Sequence, residues 1–325
     1  MRALVHARFG DPADVLHVED VARPEPGPGQ ARVRTVLSPV HNHDLWTIRG
    51  TYGFTPELPA RAGTEAVGVV DAVGEGVDTL RPGQRVVTGG TFGVWAEYFV
   101  APAAGLIPVP DGIDDAAASQ LVSMPFSALS LIEFLDLAPG DWIAQNAANG
   151  AVGRLVAQLA VARGINVLGL VRRDAGVAEL AALGIENVVS TESDDWRERA
   201  EAITQGAPVR AGVDSVGGSA SGDVLGLLAE NGTLVAFGAM ASPVMEIASG
   251  DVIFRQATVK GFWGSKVSAS MEPAHRAALI GELVGRVADG TITLPVSETY
   301  SFDRAAEAAN ANFEAGRVGK VLLRP

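Results

Sequence analysis

The segment at residues 141–173 constrains the fold of this chain more than any other, and it reads DWIAQNAANGAVGRLVAQLAVARGINVLGLVRR. Trp142–Gln145 is a short apolar run of the kind that forms a buried parallel strand. Small residues follow at 146–153. Beyond them, apolar side chains recur at helical spacing, at Leu155, Val156, Leu159 and Ala160. This order predicts a strand, a tight turn and a helix whose N-terminal N–H groups and dipole favour an anion.

Two arginines end this segment. In folds that bind NAD, an Asp or Glu stands roughly 20 residues beyond the turn and contacts the adenosine ribose. Arg172 and Arg173 occupy that place here, and a guanidinium can form two parallel hydrogen bonds to a 2′-phosphate. The segment therefore predicts an NADPH site. Because the turn AANGAVG lacks the full G-x-G-x-x-G pattern, tight helix–strand packing and a surface arginine pair remain alternative interpretations.

Composition narrows the class of protein further. A chain of 325 residues with 47% apolar content can bury a large core and is expected to divide into two domains. It has no cysteine, so disulfides, thiolate zinc sites and thiol nucleophiles are absent. The net charge of −13 argues against nucleic acid or an anionic membrane as a partner. Without a signal-peptide pattern or an apolar run of ~18 residues, we expect a cytoplasmic protein.

The pattern of elements changes along the chain. The first part is rich in Val, Gly and Pro, with strand-like runs at 32–37, 66–73 and 85–87. From about residue 116, strands and helices alternate, which indicates a parallel sheet covered by helices on both faces. Further strands are predicted at 187–190, 212–216, 233–237, 258–262 and 320–323, and helices at 175–183, 220–229, 272–289 and 302–315. The predicted class is α/β, with a β-rich domain beside a doubly wound one.

Several motifs resemble the medium-chain dehydrogenase/reductase superfamily, and the resemblance covers nearly the whole chain. They are TEAVGVVDAVGEGVDTLRPGQRV (64–86), QNAANGAVG (145–153), VDSVGG (213–218), GTLVAFG (232–238) and GKVLL (319–323). Within the superfamily, the chain is most similar to zinc-free reductases, namely quinone oxidoreductases and trans-2-enoyl-CoA or acyl-carrier-protein reductases. RGTYGFTPELP (49–59), FGAM (237–240) and KGFWGSK (260–266) are more similar to the enoyl reductases.

The resemblance implies a fold and an assembly. A GroES-like β-rich catalytic domain would be built from residues 1–118 and 266–325. A Rossmann NADPH-binding domain would be inserted at 119–265, with the active site in the cleft. The family also implies a homodimer formed through edge strands, which would place residues 258–262 at the interface.

The resemblance also assigns residues to the cofactor. The implied NADPH contacts are Asn149, Gly150, Ala151, Val152, Arg172, Phe237, Gly238, Ala239, Met240, Phe262, Trp263, Gly264 and Lys320. We add Arg173 from its chemistry alone. Lys320 has an alternative interpretation as a surface charge beside the last strand.

A metal site is not expected. The positions that hold catalytic zinc in relatives correspond to His41, Thr64 and a residue near Ser123, and threonine is a poor zinc ligand. His41, His43, Asp44 and Glu65 form an alternative ligand set, since an extended segment would place the two histidines on one face. We expect instead that His41 lines the catalytic cleft and that His43 makes a structural hydrogen bond.

Without a metal, the favoured chemistry is hydride addition to an electron-poor acceptor. Adding hydride to an enoyl thioester or an enone creates an enolate, which needs a hydrogen-bond donor and then a proton. Tyr52 matches the tyrosine that serves as proton donor in the enoyl reductases, although packing of a proline-rich loop is an alternative role. The predicted function is an NADPH-dependent reductase of activated C=C bonds. The alternatives are a quinone oxidoreductase, which also takes a small-molecule substrate, and a non-catalytic NADPH-binding protein.

Overall fold

The computed structural model describes residues 1–314 and 316–325. The chain forms two compact units, one from Met1–Ser123 with Leu283–Pro325 and the other from Met124–Glu282. The sequence places the domain crossings at 118/119 and 265/266, and that assignment stays a prediction. Among the described residues, every helix is too short or too polar to cross a lipid bilayer.

The N-terminal segment supplies most strands of the first unit. Its strands are β1 (Arg2–His6), β2 (His17–Asp20), β3 (Gln30–Pro39), β4 (Ala60–Arg61), β5 (Glu65–Val73), β6 (Arg85–Gly89), β7 (Tyr98–Pro102) and β8 (Ile107–Pro108). Its helices are α1 (Pro12–Val15), α2 (Asn42–Arg49) and α3 (Asp115–Ala118). The predicted runs at 32–37, 66–73 and 85–87 are confirmed within β3, β5 and β6. Val33, Val70 and Val86 from these strands are buried in one apolar core.

The second unit alternates helices and strands, as predicted. Its strands are β9 (Trp142–Gln145), β10 (Asn166–Val171), β11 (Val188–Ser190), β12 (Val209–Asp214), β13 (Leu228–Ala236) and β14 (Thr258–Gly261). Helices α4 to α11 are Ser123–Phe134, Ala151–Ala162, Asp174–Ala181, Trp196–Thr204, Ser219–Leu227, Ser249–Arg255, Gly264–Ser270 and Pro273–Ala288, and α11 runs on past Glu282 into the first unit. The strands form a six-stranded sheet in the order β11-β10-β9-β12-β13-β14, with parallel pairing throughout. The predicted doubly wound parallel sheet is confirmed.

The C-terminal segment returns to the first unit. It forms β15 (Val296–Ser301), α12 (Ala305–Ala311) and β16 (Lys320–Arg324). Strand β16 pairs with β3, so that Leu322 lies opposite Pro39, and the C-terminal segment shares a sheet with β3 of the N-terminal segment. The predicted helix at 302–315 is shorter, because a 3-10 turn precedes α12. Its predicted end, Ala315, lies outside the described residues.

The segment after β3 differs from the extended conformation considered from the sequence. His41 stands at the N-cap of α2, and the helix begins at Asn42. The backbone N–H of His41 donates to Oδ2 of Asp44 over 3.1 Å. This side chain at the third helical position satisfies a backbone donor that the helix itself leaves unpaired, which stabilises the helix start.

Candidate active site

The turn between β9 and α5 is shaped for the close approach of a ligand. Ala147 has a positive φ of 49°, an uncommon conformation for a residue with a side chain. At position 153 a Cβ would lie 2.6 Å from the carbonyl oxygen of Ala147, so only glycine fits there. Gly150 caps α5 without a side-chain hydrogen bond. The N–H groups at 151–153, which no intrahelical carbonyl can satisfy, are therefore suited to hold a phosphate.

This turn lies at the point where the strand order reverses. Strand β9 lies between β10 and β12, and in such sheets ligands bind beyond the carboxyl ends of the strands at this point. Asn146 links the two strand ends, since its Nδ2 donates to Asp214 Oδ1 over 2.6 Å. Its Oδ1 accepts the backbone N–H of Ser215 over 2.7 Å. Asp214 also accepts the N–H groups of Val216 and Gly217.

Sequence reasoning did not select Asn146 or Asp214 as members of this site. Both belong to motifs that carried the family resemblance, QNAANGAVG and VDSVGG. The sequence signal that could have identified both residues is a polar residue at the end of an apolar strand or directly after it. Here both side chains shape the backbone at the reversal of strand order.

Arg172 and Arg173 follow β10 directly, and both are exposed. Arg173 stands at the N-cap of α6 and makes no side-chain capping hydrogen bond. In the part of the chain that the structure describes, neither guanidinium has an ion-pair or hydrogen-bond partner. Both are thus available to a phosphate, which fits the predicted 2′-phosphate contact.

The residues predicted to lie near the nicotinamide follow β13 and β14. The rings of Phe237 and Phe262 stack with their centres 5.8 Å apart. Ala239, Met240 and Trp263 are exposed, and Gly264 begins α10. At position 238 a Cβ would lie 2.9 Å from the carbonyl oxygen of Ser215, so glycine brings β12 and β13 close together beyond their ends.

Tyr52 in the first unit belongs to a row of three rings. Its ring centre lies 5.9 Å from that of His43, which stacks on His41 at 4.9 Å. Tyr52 is half-buried, and its hydroxyl makes no hydrogen bond among the described residues. The phenol is therefore available to a ligand.

A hydrogen-bonded chain connects His43 to a buried carboxylate. Thr64 Oγ1 donates to Asp44 Oδ1 over 2.7 Å. The same oxygen lies 2.7 Å from His43 Nε2, which confirms the predicted structural hydrogen bond of His43. Because the single hydroxyl proton of Thr64 is used on Asp44, the hydrogen between Thr64 and His43 must come from Nε2.

A second, deeper pair joins His41 and Glu65. His41 Nε2 lies 2.7 Å from Glu65 Oε2. Glu65 Oε1 accepts the backbone N–H groups of Val122 and Ser123, each over 2.7 Å, at the start of α4. Burial raises the pKa of Glu65 to about 7. Burial, assisted by the charge of Lys320, holds the pKa of His41 well below its usual value.

The expectation for His41 was wrong, and so was the alternative interpretation of Lys320. His41 is only 1% exposed, so it does not line an open cleft. Its catalytic assignment stays a prediction. Lys320 is buried rather than a surface charge, and its Nζ donates to the carbonyl oxygen of Val40 over 3.2 Å. Its assignment to the cofactor stays a prediction.

The side chains of the alternative metal set lie close together, and each of them makes a hydrogen bond within the protein. His41 bonds to Glu65, and His43 bonds to Thr64. Within residues 1–314 and 316–325, no group of three or more His, Cys, Asp or Glu side chains is arranged to hold a metal ion.

Comparison with known proteins agrees with this division of the chain. Residues 27–111 match the family model of the alcohol dehydrogenase GroES-like domain, and residues 151–279 match that of the zinc-binding dehydrogenases. The human mitochondrial enoyl-[acyl-carrier-protein] reductase is 33% identical over 99% of this chain and 88% of its own length. The chain therefore belongs to the medium-chain dehydrogenase/reductase family, which confirms the GroES-like and Rossmann-type fold expected from the sequence.

Two solved structures are similar to the whole of this chain. A Pseudomonas syringae quinone oxidoreductase superposes with a TM-score of 0.88 at 27% identity, covering all of this chain and 99% of that one. A mycobacterial protein complexed with NADPH superposes with a TM-score of 0.85 at 28% identity, covering all of both chains. Its relatives thus include enoyl reductases by sequence and quinone oxidoreductases by structure.

Proposed function

We propose that this protein is an NADPH-dependent reductase of activated C=C bonds, with a 2-enoyl thioester as the preferred acceptor. The observation that carries the choice of acceptor is the 33% identity to the human enoyl-[acyl-carrier-protein] reductase over 99% of the chain. A neighbour in structure that is complexed with NADPH supports the cofactor. The exposed, unpaired Arg172 and Arg173 support a cofactor that carries a 2′-phosphate.

The residues of the second unit would bind and orient the dinucleotide. The helix start at Gly150, Ala151 and Val152, next to Asn149, would hold the pyrophosphate, and Arg172 and Arg173 would hold the 2′-phosphate. Two groups of residues would flank the nicotinamide: Phe237, Gly238, Ala239 and Met240, and then Phe262, Trp263 and Gly264. Bound NADPH supplies a hydride to the β-carbon of the acceptor.

Tyr52 would complete the reaction as the proton donor. The phenol hydroxyl can donate a hydrogen bond to the developing enolate and then give its proton to Cα. The available hydroxyl and the half-buried ring support this role. The chemistry needs no metal, and metal independence stays a prediction.

The test compares two acceptors in one variant. Tyr52→Phe keeps the ring and deletes the hydroxyl, so folding should be unchanged. We expect kcat for crotonyl-CoA to fall by roughly 10²-fold, because a general acid is lost. Reduction of a quinone should fall far less, since a hydroquinone anion can take its proton from water. Rates are measured as NADPH oxidation, with the unmutated protein as the reference.

The second candidate is a quinone oxidoreductase, which the similarity to the Pseudomonas syringae structure favours. Faster turnover of quinones than of enoyl thioesters by the unmutated protein would establish this candidate in place of the first. An equally small loss on both acceptors in Tyr52→Phe would remove Tyr52 from the mechanism and favour this candidate.

A homodimer is the proposed assembly, because the second unit ends in an uncovered sheet edge. All four residues of β14 are exposed, and unpaired strand edges tend to pair with another chain. In α9, which precedes β14 in the chain, Phe254 is 84% exposed and Ile253 is 64% exposed. Sedimentation velocity should show a dimer that Phe254→Asp dissociates. A monomer in the unmutated protein would contradict this assembly.

A cytoplasmic location also stays a prediction. The curated relative is a mitochondrial protein, so cell fractionation must decide.

A further inference from the structure

We propose that His43 is a positioning residue that restores the proton to Tyr52, with Asp44 acting on it through Thr64. The proposal rests on the proposed function, since it needs Tyr52 to give up a proton in each turnover. It is carried by three observations on the first unit: the direction of the hydrogen bonds, the neighbouring rings and the accessibility of His43.

The direction of the hydrogen bonds leaves one nitrogen of His43 available. The hydroxyl proton of Thr64 is committed to Asp44, so Nε2 of His43 carries a hydrogen. In the neutral ring, Nδ1 is then an acceptor with a lone pair. A proton that arrives at Nδ1 creates an imidazolium, and Asp44 Oδ1 lies 3.6 Å from Nε2 to stabilise that charge.

The exposed fractions of the Asp44 and His43 side chains fit a path for protons from solvent to Tyr52 through His43. The Asp44 side chain is 0% exposed, whereas the His43 side chain is 22% exposed. His43 can therefore exchange protons with water while a buried carboxylate holds its orientation. The centre of its ring lies 4.9 Å from that of His41 and 5.9 Å from that of Tyr52, so the imidazole lies beside the phenol.

The proton steps balance. Transfer to Cα breaks the O–H bond of Tyr52, forms a C–H bond on the product and leaves a phenolate. The phenolate takes the proton from Nδ1 of the imidazolium, which becomes a neutral ring that keeps its Nε2 hydrogen. A proton from water then restores the imidazolium. His43 thus acts on the reaction only through Tyr52.

The experiment is a double-mutant cycle between Thr64 and Tyr52. Thr64→Val removes the hydroxyl and keeps the shape, while Thr64→Ser keeps the hydroxyl and serves as the rescue. With crotonyl-CoA, we expect Thr64→Val to lower kcat by about 10-fold with little change in KM. Thr64→Ser should recover most of the rate. In a Tyr52→Phe background, Thr64→Val should cause no further loss, because the residue that it serves is gone.

His43→Phe provides a second variant if Thr64→Val fails to fold. It retains an aromatic ring and lacks both nitrogens, so it should lower kcat to a similar extent. Folding is checked by the melting temperature and by NADPH binding.

Three results would overturn the proposal. One is a normal kcat in Thr64→Val or His43→Phe while Tyr52→Phe is slow. This result would contradict the role of His43 and leave the role of Tyr52 intact. Another is an equal loss from Thr64→Val with and without the Tyr52 hydroxyl. A normal rate in Tyr52→Phe itself would remove the tyrosine from the mechanism, and both proposals would fall together.

Discussion

The two candidate functional regions satisfy their polar groups in opposite ways. In the second unit, Arg172, Arg173 and the start of α5 present donors that no residue of the described chain takes up. In the first unit, Asp44, Thr64 and Glu65 are buried and hydrogen-bonded to neighbouring residues. The groups of the second unit are available to bind a ligand, whereas those of the first unit hold one another in place. Changes to the arginines and the start of α5 should therefore affect binding, whereas changes to Asp44, Thr64 or Glu65 should also affect stability.

The largest effect is expected at the arginine pair. Arg172→Ala with Arg173→Ala should raise the KM for NADPH by roughly 10- to 100-fold, since a charge-assisted hydrogen bond contributes about 1.5–3 kcal/mol. The KM for NADH should change little, because NADH lacks the 2′-phosphate. Steady-state kinetics with each cofactor provide the measurement, and the melting temperature should stay constant.

Arg81→Ala is the control for the loss of an exposed arginine outside the proposed site. Arg81 is also an exposed arginine, and it lies in the turn before β6 of the other unit. Its loss changes the net charge without touching the proposed site. Equal catalytic efficiency with NADPH and NADH in the unmutated protein would contradict the assignment of the arginines.

A smaller effect, on stability, is expected at Glu65. Burial raises its pKa from 4.5 to about 7, so between these values the unfolded chain releases its proton while the folded protein retains it. The stability that this group contributes is complete below 4.5 and is lost as the pH rises to about 7. Glu65→Gln cannot titrate, so it should lack this component of the pH dependence.

The comparison is made at two pH values. Relative to Glu65→Gln, the unmutated protein should lose roughly 5 °C in melting temperature between about pH 5 and about pH 8. His41 loses stability in the opposite direction, as the pH falls, and it is present in both proteins. A difference between the two proteins that is constant with pH would contradict the raised pKa and the contrast between the regions.

The same contrast explains what could be predicted from the sequence. The nucleotide turn is local, since residues 141–173 contain β9, α5, β10 and both arginines, so periodicity and composition were enough. The polar cluster joins Asp44, Thr64, Glu65 and Lys320, and it forms only after β3, β5 and β16 have come together. A linear pattern does not show that pairing, which is why Lys320 could be taken for a surface charge.

Helix α2 was missed for a related reason. The residues HNHDLWTIR show no clear apolar stripe, and an extended conformation was considered for them only as the condition for placing both histidines on one face. The helix depends instead on Asp44 at its start and on the burial of Leu45 and Ile48 in the core. Helix α7 is similarly polar in sequence, and it is held by the buried side chains of Trp196 and Ala200.

The burial of Lys320 has a practical consequence for chemical labelling. The chain contains three lysines, at positions 260, 266 and 320, and Lys320 is 7% exposed. Amine-reactive dyes and crosslinkers should therefore reach Lys266, which is exposed in α10, whereas Lys260 lies on β14, the edge strand of the proposed dimer interface. A fluorophore attached to Lys266 would sit on the second unit, beside Trp263, and could serve as an optical reporter for this part of the protein.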